Sequence, residues 1–214
     1  MPATQYGRHA VVGFAQSSDR GLLVTDDDWA TWQVYSHDVT VRDVTLDPSR
    51  PGRLWVAADE GVFRSDDGGR TLTPVLSGGA FSVYVDPAHP ADVLVGGTRV
   101  RVSTDGGATF RTADTGGGNT LFSSFAAASV QLPRATTPSR VLFAGSAALR
   151  PYGWTIAGRG VLCSTDNGRT WSSVSGGLES TSVTSMSVTP DGTWLVVGTR
   201  EGGVHRAAVA DLLK

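Results

Sequence analysis

The sequence predicts an all-β fold: a β-propeller of four-stranded antiparallel blades, five in number. Three observations point there. A turn pattern recurs, in which Ser164-Thr165-Asp166-Asn167-Gly168-Arg169-Thr170-Trp171 is matched by residues 103–110 and 65–72 with the spacing Ser-x-Asp-x-Gly-x-Thr and then an aromatic residue or leucine. Residues 25–32 are a weaker copy with Trp29 where the others have glycine. The copies are also nearly periodic: Asp27, Asp67 and Asp105 lie 40 and 38 residues apart, and Asp166 follows 61 residues later. Finally, glycine makes up 27 of 214 residues while charged residues are only 18%, which suits many short strands joined by tight turns.

Each copy has the chemistry of a hairpin. The Asp carboxylates (Asp27, Asp67, Asp105, Asp166) can accept backbone N–H groups across the turn, and Gly69, Gly107 and Gly168 can take positive φ without steric cost. The threonine restarts a strand, and Trp32, Phe110 and Trp171 are placed to pack into the core.

Taken in order, the first unit (residues 5–36) has strands at 9–15, 22–25 and 32–35 and no clear opening strand. The second (39–76) is the clearest, with strands at 41–46, 53–58, 62–65 and 72–76. The third (81–113) copies it at 81–85, 93–97, 100–103 and 110–113, with Asp86-Pro87-Ala88-His89-Pro90 as its first turn. The fourth (120–174) is stretched by a long turn at 131–140 and an excursion at 146–160. The fifth (183–214) has strands at 183–189, 193–199 and from Val204 onward, but no turn motif. Closing a ring calls for a borrowed strand, and residues 4–8 or the tail 207–213 are the candidates. That tail also suits a short helical turn.

Bulk properties narrow the function. With 18 basic and 20 acidic residues the net charge is −2, so nothing points to nucleic acid or an anionic membrane surface. The chain contains no run of about 18 uninterrupted apolar residues, the length a membrane-spanning helix needs. The first eight residues lack the pattern of a signal peptide, which favours a cytoplasmic setting. The single cysteine, Cys163, permits no internal disulfide and reads as a small buried hydrophobe. His9, His37, His89 and His205 have no metal-ligand spacing, and neither a phosphate loop nor a nucleophile elbow is present, so no metal or cofactor is expected.

The Ser-x-Asp-x-Gly-x-Thr-aromatic repeat resembles the Asp-box, or BNR, repeat of sialidases, sortilin-type receptors, xyloglucanase-type glycosidases and photosystem II assembly-factor-like proteins. The resemblance covers nearly the whole chain and implies a propeller. It also implies that the turn acids are structural and stand away from the functional face, which is built from the links between blades and the loops between second and third strands.

Those loops carry the candidate ligand residues Arg20, Arg99, Arg159 and Arg200, because converging guanidinium groups bind carboxylates in bidentate fashion. They also carry the acids Asp59 and Glu201. Asp59 and Glu60 are adjacent and point apart, so a hydrolytic carboxylate pair would have to come from different blades. Tyr152 and Trp154 sit on the long excursion, where such side chains anchor proteins or sugars.

The expected function is a non-enzymatic binding or scaffold propeller that engages a protein or a glycan on this loop face. The alternative is a sialidase-like exo-glycoside hydrolase using the arginines and a cross-blade acid pair. Against the hydrolase, the Arg-Ile-Pro motif and a Tyr–Glu nucleophile couple are missing. A further possibility is self-association through incomplete terminal blades.

Overall fold

The structure is a computed structural model and describes residues 3–6, 8–16, 19–117, 120–131, 137–148 and 157–214. Among these residues, nineteen strands form five antiparallel sheets. The first sheet is β1 (Ala3–Tyr6), β2 (His9–Gln16), β3 (Asp19–Thr25) and β4 (Gln33–Ser36), in that order. The second is β5 (Val41–Leu46), β6 (Leu54–Ala58), β7 (Gly61–Ser65) and β8 (Thr73–Ser77). The third is β9 (Ser82–Asp86), β10 (His89–Gly96), β11 (Val100–Ser103) and β12 (Arg111–Thr112). The fourth is β13 (Leu121–Val130), β14 (Ser139–Ala147), β15 (Gly160–Ser164) and β16 (Ser172–Ser173). The fifth has three strands, β17 (Val183–Val188), β18 (Trp194–Thr199) and β19 (Gly203–Ala208), followed by a 3-10 turn at Asp211–Leu213.

Two details differ from the expectation. The first sheet has its opening strand, because Ala3–Tyr6 pairs antiparallel with Val12 back to His9. Residues 207 and 208 extend β19, and the tail turns into the 3-10 element, so neither candidate for a borrowed strand fills the outer edge of the fifth sheet.

The chain divides into two compact units. In the first, Met1–Val95 with Ser103–Phe110, β6 shows why the sheets stack. Its run Leu-Trp-Val-Ala-Ala is buried at every position. Strand side chains alternate between faces. Leu54, Val56 and Ala58 therefore join Val11, Leu22 and Val24 of the first sheet in one core layer. Trp55 and Ala57 join Val83, Val85, Val93 and Val95 of the third in another. In the second unit, Gly96–Val102 with Arg111–Lys214, Val141, Phe143, Val161 and Cys163 pack with Val183, Leu195, Val197 and Val209. Cys163 is free and 6% exposed, as a small hydrophobe.

Candidate ligand-binding faces

The repeated turn is one bond set used four times. In the second copy the Asp67 carboxylate accepts the Thr71 N–H at 2.9 Å and the Thr71 hydroxyl at 2.8 Å. Ser65 Oγ donates to Asp67 at 2.8 Å and accepts the Gly69 N–H at 2.8 Å. The third and fourth copies repeat this through Ser103, Asp105, Gly107 and Thr109, and through Ser164, Asp166, Gly168 and Thr170. In the first, Thr25 replaces the serine, and Trp29 at φ 68° donates its N–H in the glycine's place.

The threonine is thus a clasp rather than the first residue of a strand. Pairing resumes two residues later, at Gln33, Thr73, Arg111 and Ser172. These bonds favour the ionised acid. The Thr31 hydroxyl is foremost in holding Asp27 down to about 2, and the Thr109 hydroxyl does the same for Asp105, also about 2. The Thr71 N–H lowers Asp67. At Asp166 burial pushes the other way but is outweighed by the Thr170 hydroxyl and N–H, so this carboxyl also lies below its usual range.

The residue after the clasp differs among copies. Trp171 is buried and donates Nε1–H to the Gly168 carbonyl at 3.1 Å. Phe110 is half-buried against the Trp55 layer, and Leu72 against the Leu22 layer. Trp32 does not pack into the core as expected but is 60% exposed. Leu72 and Phe110 each pack on a core layer shared by two sheets, whereas Trp32 stands beside the exposed Gln33 and Val34.

At the opposite ends of the first unit's strands lie Arg20 and Asp59. Arg20 is on β3 and donates to Thr40 Oγ1 at 3.1 Å, with Glu60 at 3.8 Å. Asp59 is gripped by Arg42 through Nε and Nη2, both at 2.6 Å. The Arg42 guanidinium also stacks 5.7 Å from the Phe81 ring. Glu60 accepts the Thr40 N–H at 2.9 Å. Both acids of this turn are therefore committed.

In the second unit Arg159 donates to the Gly117 carbonyl at 2.8 Å. Arg99, Arg200 and Glu201 are exposed, with no side-chain hydrogen bond or ion pair among the described residues. Among the described residues no bond joins any two of the candidates; Tyr152 and Trp154 lie outside the described residues.

Two features escaped the sequence reading. Asp43 is mostly buried at a bulge in β5, where its carboxylate accepts the Val44 and Val83 N–H groups, each at 2.9 Å. Burial outweighs those two bonds and pushes it up to about 6. The other is a cleft of about 450 Å³ in the first unit, on the side of the repeated turns, lined by His9, Tyr35, Arg50 and Arg70 among others. These residues are scattered over 62 positions, so no local motif announces them.

No family model matches the chain, and no curated protein matches it. Solved structures do. An ancestral GH74 enzyme superposes with a TM-score of 0.70 at 15% identity, covering 97% of this chain and 29% of that one. The GH74 enzyme of Niastella koreensis gives 0.67 at 17% identity, covering 90% and 32%. YCF48 bound to D1 peptide gives 0.57 at 13% identity, covering 97% and 69%. The chain thus spans about three tenths of the GH74 chains it matches. With its five antiparallel sheets, it is an all-β protein of the β-propeller fold, similar in structure to the GH74 and YCF48 propellers.

Proposed function

We propose that this chain is a binding propeller that holds an acidic segment of a partner protein on the loops opposite the repeated turns, with Arg99 and Arg200 as its contacts. One contrast carries the reading. The loop acids Asp59 and Glu60 are occupied by Arg42, Arg20 and the Thr40 N–H, whereas Arg99 and Arg200 are exposed cations without a side-chain partner among the described residues. A guanidinium left free at a surface suits a carboxylate ligand, while Asp59 and Glu60, locked in ion pairs, are poor general acids and bases, which leaves Glu201 alone among the candidate acids where glycoside hydrolysis generally takes two. The peptide held by YCF48 lends this reading support by analogy of fold. Tyr152 and Trp154 are proposed as aromatic contacts of the same partner.

The test is a binding screen of the purified protein against acid-rich peptides and a glycan array, run beside a fluorogenic sialoside and aryl-glycoside hydrolysis panel. The expected result is salt-sensitive peptide binding, weakened about tenfold by Arg99→Ala with Arg200→Ala, or about 1.4 kcal/mol. Turnover abolished by the same substitutions would replace this reading with the exo-glycoside hydrolase. Glycan binding without turnover would make the protein lectin-like.

A further inference from the structure

The cleft in the first unit is built from groups that fall into two sets. Asp47, Arg53 and Asp67 form its walls and are already satisfied. Asp47 accepts the Ser49 N–H and hydroxyl at 2.8 and 2.7 Å. Arg53 Nε donates to Asp66 at 2.6 Å, and Asp67 is held in its turn by Thr71. The remaining groups have spare capacity. Arg50 is exposed and has no side-chain partner among the described residues. Arg70 donates Nε–H to the Tyr35 hydroxyl at 3.0 Å, which fixes its plane, but no carboxylate of the described residues lies within ion-pair distance of it. His9 shares Nδ1 with Asp26 Oδ1 at 2.5 Å, and its Nε2 is buried with no hydrogen-bond partner among the described residues. Val24, Leu46 and Pro51 line the cleft as an apolar floor, and the Tyr35 ring packs against the core layer that holds Val24 and Leu46.

We propose that this cleft is a second ligand site, separate from the loops that carry Arg99 and Arg200, and that it takes a small carboxylate on a flat, apolar body. The two guanidinium groups match the carboxylate. The floor and the Tyr35 ring match the body. At about 450 Å³ the volume falls in the range of small-molecule sites, roughly 300–1,000 Å³. Asp26, exposed on the rim, sets the charge: it tolerates a monoanion between two arginines and repels a phosphate dianion.

Titration of the isotope-labelled full chain with sodium benzoate, acetate and inorganic phosphate, followed by amide NMR, tests this. Benzoate is expected to saturate, with shifts confined to the amides around His9, Tyr35, residues 50–53 and Arg70, and acetate and phosphate to bind at least about tenfold more weakly. Arg50→Gln with Arg70→Gln should lose benzoate by about tenfold or more at an unchanged melting temperature, since both side chains are solvent-facing. Tyr35→Phe, which frees Arg70 but keeps the ring, should lose part of it. Arg99→Ala with Arg200→Ala should change nothing, so this site stands or falls apart from the loop-face reading. No saturation by about 10 mM, shifts elsewhere in the chain, phosphate binding as tight as benzoate, or full binding by the double variant would each overturn the proposal.

Discussion

Gly107 is constrained by its backbone and by its neighbour. Its φ is +81°, and a Cβ added there would sit 2.1 Å from Cη2 and 2.7 Å from Cζ3 of Trp55. Gly106 has φ +68° but open space around its missing side chain. The pair separates the two costs. Gly106→Ala should lower stability by about 1–2 kcal/mol, the left-handed backbone penalty alone. Gly107→Ala should add about 1–3 kcal/mol for forcing the indole aside. Thermal melts of the two variants check this, and equal losses would show that the Trp55 contact carries no weight. At this scale the sequence was informative where the physics is local. The Asp67 clasp is completed within seven residues, and its carboxylate role followed from Asp, Gly and Thr at their spacing. The exposure of Trp32 did not follow, because it depends on what lies beside the turn rather than in it.

The open element is β19. Among the described residues four sheets carry a fourth strand outside the third and the fifth does not, and no described strand pairs with the outer edge of β19. Val204 on that strand is 76% exposed. Association through this edge is expected to appear as a concentration-dependent rise in mass by light scattering. Val204→Lys should suppress it, since an edge lysine disfavours strand addition. A wild type that stays monomeric across the range would remove the idea. The strands themselves were legible because the buried run Leu-Trp-Val-Ala-Ala and its alternation are written in β6. The Arg42–Asp59 pair and the cleft were not, since each joins different strands and turns that periodicity cannot bring into register.

For the molecule as a whole, acid acts in two windows of opposite sign. Asp27 and Asp105, held at about 2, give stability that is present above the unfolded carboxyl value near 3.9 and lost as pH falls toward 2. Asp43, raised to about 6, gives stability that is full below about 3.9 and lost as pH rises through 6. Unfolding free energy followed by denaturant melts from pH 4 to 7 should therefore fall with rising pH more steeply in the wild type than in Asp43→Asn, by an amount on the order of 1–3 kcal/mol. Equal slopes would mean that the bulge carboxyl titrates as if solvated. Trp55 gives the same protein an optical handle. Its indole is 1% exposed with an N–H that has no partner among the described residues, while Trp29, Trp32 and Trp194 are 38%, 60% and 37% exposed. Buried indoles emit at shorter wavelength than wetted ones, so the blue edge of the emission reports partly on the seam between the second sheet and the Gly107 turn. Parting of that seam would redden the blue edge while the light from the exposed rings stayed as it was.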